Sequence, residues 1–598
     1  MRWPKCLLTF CCCLGLSLPG WSQVLSLHLP VPRIVFQRDR FNQALVPVSG
    51  TCPAGIDRVE ARLLARVAGQ GTSTGWLLIQ ERPPGGVFAG TLPARGGWYN
   101  LEVRAMSGGQ PVFQATVERV GVGEVFIAAG QSNALGVSSD AGAVDDRVSR
   151  INYRDQDYEG AESRFPFAFE RATPGGFLGP YGFLHVWPLL ADKLVQRLNV
   201  PVLILGGAMG GTDSHMWART AGGNGNFTSP PFPSELFGRL FPYRALGSTL
   251  LHYASRTGVR AILWHQGESD NNKTSTQQYT DNLKRVIQRS RAQLGHGALA
   301  WVVSRASYIE GRTDARIITA QNRVIQEVAG LYPGPETDAY QGSYYRPDGL
   351  HFNGSGLGPL ADWWDQALTP AFFASSIPYV PARVPWLTTG YVVPNEVAGG
   401  AVVEVPYLAT LPAQAGTSFR AQLLNATGAV VHESAPGTGN PLRVTLPDWP
   451  QGTYRLQLRA SQPNLDGLPG EPLTIQGTGQ EPGRPAPAYG RPVGAVEMVG
   501  CRVSGWAADA DGPNETLQLE FYLDGQRAGT ARADLPRIDI GSWLGGEGRH
   551  GFVWQVPQAW RQAGSRTLSV RPVGSTYVLP ARTAQLVCPP IEGAMAER

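Results

Sequence analysis

Ser132 stands between two amides in GEVFIAAGQSNALG (residues 123–136), directly after an apolar run that breaks at Gly130. A serine hydroxyl is a poor nucleophile until a base takes its proton, and the base works best when a carboxylate fixes its tautomer. RPDGLHFNGSG (346–356) offers both groups. Asp348 and His351 are three residues apart, so in a turn the carboxylate reaches one ring nitrogen and leaves the other facing outward. Two further segments, GGAMGGTDSHMW (206–217) and WHQGESDNN (264–272), can complete such a site. Glycines after a strand let backbone N–H groups approach a developing oxyanion, and a side-chain amide adds a donor. Gly210, Gly211 and Gln266 are the candidates, beside the N–H of Ser132 itself. Each segment alone has a plainer reading: Asp348 and His351 as caps of the last helix, the glycines as a flexible loop, HQGESD as a polar turn. Three of the four stand at strand ends and the fourth precedes the last helix, and this shared placement favours the chemical reading.

The elements that must position them follow from periodicity. From Glu124 onward apolar strands (EVFIAAG, VPVLILGG, VRAILWHQ, ALAWVVSRA) alternate with stretches at helical spacing: 182–199, 243–258, 276–294, 315–330 and a last helix after Gly354. Alternation of this kind predicts an α/β fold with a parallel sheet and helices on both faces, and ligand chemistry in such sheets gathers at the carboxyl ends of the strands. Short alternating runs separated by Gly and Pro precede and follow it, as in GWYNLEVRA (97–105), and read as β-sandwiches. The expected units are 23–121 (β-sandwich), 122–378 (α/β), 379–476 (β-sandwich), a Pro/Gly linker at 477–493 and a C-terminal β-domain at 494–590. TLPDWPQGTYRLQLRA (445–460) echoes TLPARGGWYNLEVRA (91–105), which suggests two related sandwiches flanking the core.

The 598 residues include 42% hydrophobic and 16% charged, enough for several cores. A formal net charge of +4, with no polybasic stripe, gives no ground for a nucleic-acid or anionic-membrane partner. Residues 1–22 have a basic start, an apolar centre and a small-residue exit, the layout of a secretory signal, so a secreted, periplasmic or cell-surface protein is expected. No later stretch reaches the roughly 20 apolar residues of a membrane span. Four of the seven cysteines lie in that leader, leaving Cys52, Cys501 and Cys588. In an oxidising compartment Cys501 and Cys588, which bracket one C-terminal β-rich unit, are natural disulfide partners. None of the three has metal-ligand spacing, and neither metal nor cofactor is implied. GTSTG (71–75) fits the nucleophile-elbow pattern but lies in a β-rich unit without a strand-to-helix turn, so it is expected to be a hairpin loop. Glu268 and Asp270 also raise the possibility of paired glycosidase carboxylates, which their two-residue spacing does not favour.

Taken together, G-Q-S-N at 130–133, G-G-T with a later tryptophan (Gly210, Gly211, Thr212, Trp217), Q-G-E-S-D at 266–270 and D-x-x-H at 348–351 resemble the SGNH (GDSL-like) hydrolases. Within that superfamily the likeness is to the sialate O-acetylesterase and acetylxylan esterase branch, over about residues 122–375. The resemblance implies a flavodoxin-like three-layer α/β/α core, no metal, and an O-acetylated carbohydrate substrate. It also implies a Ser132–His351–Asp348 triad with Ser132, Gly211, Gly210 and Gln266 around the oxyanion. The remaining block positions Gln131, Asn133, Thr212, Trp217, Glu268 and Asp270 are then expected on the substrate side, with Asn133 also holding the turn by hydrogen bonds. The C-terminal unit resembles accessory β-domains of secreted proteins, suited to polysaccharide or cell-surface contact. Esterases for longer acyl chains and an inactive sugar-binding adhesin are the rival readings.

Overall fold

The computed structural model describes residues 24–223, 240–410, 416–449, 451–477, 492–512, 516–537, 540, 549–581 and 584–589. The proposed leader and nearly all of the expected linker lie outside them. The chain is a mixed α/β structure rich in strands, with several sheets.

Two sheets open the fold. Ser26–Leu29, Gln43–Thr51 and Val87–Arg95 form one antiparallel sheet. Leu77–Glu81, Arg58–Ala65 and Gly97–Ser107 pair side by side in the other, and Gly97–Ser107 pairs antiparallel with strand β1, Gln110–Gly130. GTSTG falls in the connection between Arg58–Ala65 and Leu77–Glu81, with Ser73 and Thr74 hydroxyls accepting from Ala65 and Leu63 N–H, so it is hairpin loop and not elbow.

β1 is 21 residues long and runs unbroken through residue 122, where the sequence suggests a boundary. Its first part alternates in exposure and its second part, from Val120, is buried throughout. Gly121 and Gly123 are close-packing sites within the strand. A Cβ at Gly123 would fall 1.9 Å from the Pro201 carbonyl oxygen. Glu124, wholly buried, fixes the crossing point: its carboxylate takes Arg38 Nε at 2.8 Å, Gln37 Nε2 at 2.9 Å and Arg260 Nε at 2.8 Å.

Beyond it lie β2 (Val148–Arg150), helix α1 (Trp187–Leu198), β3 (Val202–Ala208), α2 (Ser214–Ala221) and α3 (Tyr243–Thr249). β4 (Ala261–His265), α4 (Thr276–Leu294), β5 (Ala300–Arg305), α5 (Ala315–Glu327), β6 (Leu331–Glu336) and α6 (Leu357–Ala367) complete the core. The strands are parallel in the order β2-β3-β1-β4-β5-β6. One face, with Phe126, Ile204, Leu263 and Val302, packs on Trp187 and Leu190 of α1 and Leu360 and Trp364 of α6. The other, with Ile127, Leu205, Ile262 and Val303, packs on Trp217, Leu246, Leu283 and Ile317 of α2 to α5. Each of these fully buried side chains is worth about 1.5–3 kcal/mol over its exposed state. The chain leaves β1 for β3 on one side and reaches β4 on the other. That reversal opens a crevice at the carboxyl end of β1.

Helix ends follow local chemistry. Ser275 and Gln278 form a capping box at α4 and Gly295 closes it in the left-handed region, so the whole 19-residue periodic stretch is helical. α1 starts only at Trp187, later than the periodicity suggests, with Pro188 in its first turn.

A second sandwich (about 387–476) buries Val405, Leu423, Leu456 and Ile475, and its junction with the core holds an ionic cluster. Wholly buried Glu162 accepts from Arg244 Nε (2.7 Å), Ser248 Oγ (2.8 Å) and Tyr391 N (2.8 Å), with His252 Nε2 at 3.3 Å. His252 Nδ1 bonds Thr388 Oγ1 at 2.8 Å. The two echoing segments play one role: each leaves a strand of one sheet (Val87–Arg95, Leu442–Thr445) and enters a long strand of the other (Gly97–Ser107, Gly452–Ser461).

Among the described residues the C-terminal unit has two four-stranded sheets, and Cys501 and Cys588 are joined by a disulfide across 87 residues. Cys52 is buried and unpaired. Reduction is expected to cost that unit about 2–4 kcal/mol through loss of the loop constraint. Thermal unfolding with and without reductant measures it, and an unchanged C-terminal transition would contradict the expectation.

Candidate active site

β1 ends at Gly130, whose φ of +126° and a Cβ position 2.1 Å from the His265 carbonyl oxygen exclude any other residue. Gln131 N–H donates to that carbonyl at 2.9 Å, and a single helical turn, Ser132–Leu135, follows. Ser132 therefore emerges half-buried at the crevice.

His351 Nε2 lies 2.9 Å from Ser132 Oγ, and His351 Nδ1 lies 2.6 Å from Asp348 Oδ2. Asp348 Oδ1 accepts the backbone N–H groups of His351 (2.7 Å) and Leu350 (2.9 Å), so the carboxylate orders the turn as well as the ring. Partial burial raises the Asp348 carboxyl, but the His351 ring and those two N–H groups outweigh it and hold it down to about 2. Such a chain of bonds can carry a hydroxyl proton to an imidazole whose tautomer is fixed from behind.

Gly210 packs against the serine: a Cβ there would sit 3.7 Å from Ser132 Cβ. Gly210 is buried there, beside the serine. Gly211 is exposed and left-handed (φ 68°), which turns the chain beside the serine.

Several expected substrate or oxyanion residues are internal instead. Gln266 is fully buried, and its Nε2 donates to Asp270 Oδ2 (2.5 Å), with Thr212 O and Gln131 Oε1 both at 3.3 Å. Its Oε1 accepts the Tyr279 hydroxyl at 2.9 Å, so both ends of the amide are engaged within the protein and Gln266 does not face an oxyanion as the sequence suggests. Asp270 accepts Ser214 Oγ (2.6 Å), Ser214 N (2.8 Å) and Thr274 Oγ1 (2.7 Å). Burial pushes its carboxyl above the ordinary range despite these donors. Glu268 is equally buried, taking Asn133 Nδ2 at 2.7 Å with His265 Nε2 at 3.2 Å. Neither carboxylate faces substrate, which also removes the glycosidase reading. Thr212 donates to Met209 O (2.7 Å) and accepts from Trp217 Nε1 (2.9 Å), and both side chains are enclosed.

The amides flanking Ser132 are likewise turned inward. Gln131 Oε1 accepts from Ser269 N (3.1 Å) and Gly267 N (3.3 Å), tying the serine to the loop after β4. Asn133 Oδ1 accepts Phe352 N at 3.0 Å, tying it to the His351 loop. Sequence reading missed the supports Tyr279, His265, Arg346 and Gln321, whose Nε2 donates to Gln266 O at 3.0 Å. Only His265 and Arg346, adjoining recognised blocks, carried a local signal. Among the described residues no group of three or more His, Cys, Asp or Glu is placed to hold a metal ion, and no helix is long and apolar enough to cross a membrane.

A parallel sheet presenting a hydrogen-bonded serine, histidine and aspartate at its carboxyl rim belongs, in this chain, to a carboxylic ester hydrolase. Residues 122–367 match the family model described as carbohydrate esterase, sialic acid-specific acetylesterase. Among solved structures, a carbohydrate acetylesterase from Xanthomonas citri is 16% identical, covering 75% of this chain and 99% of its own, with a TM-score of 0.38. An Arabidopsis thaliana protein is 16% identical over 42% of this chain and 98% of its own (TM-score 0.29). NanS is 14% identical over 41% and 96% (TM-score 0.26). No curated protein sequence matches the chain.

Proposed function

We propose that this carbohydrate esterase is an exported serine O-acetylesterase with a flavodoxin-like three-layer core, acting through Ser132, His351 and Asp348. The observation that carries the reading is the continuous path from Asp348 Oδ2 through His351 to Ser132 Oγ, with contacts of 2.6 and 2.9 Å. Ser132 Oγ attacks the acetyl carbonyl as His351 Nε2 takes its proton, while Asp348 holds Nδ1–H and steadies the imidazolium. The oxyanion sits against the N–H groups of Ser132 and Gly211. His351 then protonates the departing sugar hydroxyl, and water, deprotonated by the same ring, releases acetate from the acetyl-enzyme. The basic and apolar leader and the Cys501–Cys588 bridge support export to an oxidising compartment.

Acetate release from O-acetylated xylan, pectin and sialoglycans, together with p-nitrophenyl acetate, butyrate and octanoate, tests the substrate class. The expected result is release from at least one glycan and a fall in kcat/KM beyond acetyl. Preference for octanoate would indicate a longer-chain esterase, and glycan binding without acetate release would indicate an adhesin.

A further inference from the structure

The loop carrying the base is open to solvent: the Asp348 side chain is 55% exposed and that of His351 22%. Asp348 and His351 hold each other within that loop, but their bond does not fix the loop's distance from the serine. His185 Nε2 meets the loop at Phe352 O (2.7 Å), and the residue that reaches it from beside the serine is Asn133, wholly buried and next to Ser132 in the same helical turn. Its Oδ1 accepts Phe352 N at 3.0 Å and its Nδ2 approaches Leu350 O at 3.4 Å, so it grips the backbone on both sides of His351. The same Nδ2 donates to Glu268 Oε1 at 2.7 Å. Arg346 braces the loop from the other side, with Nη1 on Leu350 O at 2.5 Å and its guanidinium 3.9 Å from the Phe352 ring centre.

We propose that Asn133, oriented by buried Glu268, is a positioning residue that sets the separation of His351 from Ser132. Glu268 suits the task because its carboxylate is enclosed and ionised. Burial raises its carboxyl, yet His265, Arg346 and the Asn133 amide together bring it well below the ordinary carboxylate range. An ionised acceptor leaves Asn133 one amide orientation, Nδ2 toward Glu268 and Oδ1 toward Phe352. The inference rests on the serine-esterase reading given above.

In Asn133→Ala, kcat for p-nitrophenyl acetate is expected to fall about 100-fold with KM nearly unchanged, the effect of a displacement of about 1 Å between reacting groups. The low-field Nδ1–H proton resonance of His351 should persist, because Asp348 moves with its ring. Wild-type kcat in this variant would overturn the proposal. Loss of the low-field proton along with activity would overturn it as well, since Asn133 would then hold the loop's fold and not its distance. Glu268 supplies the second variant pair should Asn133→Ala not fold. Glu268→Gln, which keeps an acceptor for Asn133, should stay within about tenfold of wild type, and Glu268→Ala should lose about as much as Asn133→Ala. Equal kcat in the two Glu268 variants would contradict the orienting role. Ser132→Ala separates the two levels: turnover in that variant defeats the serine assignment, whereas a silent Ser132→Ala beside an active Asn133→Ala defeats only the positioning role.

Discussion

Replacing Ser132 by alanine should lower kcat for p-nitrophenyl acetate by about 10⁴-fold or more, with the unfolding transition unchanged. The side chain is half-buried at a crevice, its Oγ is bonded to His351 Nε2, and the turn around it is held by the backbone and by Gln131 and Asn133. Removing one oxygen therefore takes away the nucleophile and little else. His351→Ala should have a comparable effect. Asp348→Asn is the more discriminating variant, because its Oδ1 can still accept the His351 and Leu350 N–H groups and preserve the turn. An amide NH₂ in place of Oδ2 would then face Nδ1 and favour the tautomer with its proton on Nε2, where it cannot accept from Ser132. A loss of about 10⁴-fold in kcat is expected for this cause. Steady-state kinetics with circular dichroism checks all three, and undiminished turnover in Ser132→Ala would sink the assignment.

Glu162→Gln should destabilise the folded chain by about 3–5 kcal/mol, the cost of removing one charge of a buried ion pair. The group that loses its carboxylate is Arg244, whose Nε sits 2.7 Å from it in a site closed to water. Tyr391 N and Ser248 Oγ lose an ionised acceptor at the same time. The pH dependence follows with a definite sign. Burial opposes ionisation of Glu162, but Arg244 and His252 outweigh it and lower its carboxyl from 4.5. Burial likewise lowers His252 from 6.5, more than Glu162 raises it. Both groups have depressed folded values, so each contributes stability that is complete above its unfolded value and is lost as pH falls toward its folded one. Denaturant midpoints should decline below about pH 6.5 as His252 is driven to protonate, and further below about pH 4.5 as Glu162 is neutralised. In Glu162→Gln the second decline should shrink. A wild-type midpoint for the variant at pH 7 would show that Arg244 is compensated elsewhere.

Much of the site was legible because its signals are local. Gly130 and Ser132 mark the end of a strand, Asp348 and His351 form a bonded pair three residues apart, and Ser275 with Gln278 announces the start of α4. What could not be read were pairings across long separations. Gln266 looks like an oxyanion donor, and Glu268 and Asp270 like substrate contacts, because they are polar and follow a strand within a recognised block. Their partners Ser214, Asn133 and Thr212 come from segments that only the folded sheet brings near. The same applies to the boundary at residue 122, set by the change of pattern at Glu124, through which the strand in fact runs with Pro201 packed against Gly121 and Gly123.

The strand Gln110–Gly130 bears on modularity. A chain begun at residue 122 would start inside it, without the pairing to Gly97–Ser107 and Val35–Gln37 and without the Arg38 bond to Glu124. The first sandwich is thus a foundation for the nucleophile's strand and not a detachable accessory. One place where the first sandwich can accept foreign sequence is the exposed turn at Gly108 and Gly109, both left-handed and both with open space around them.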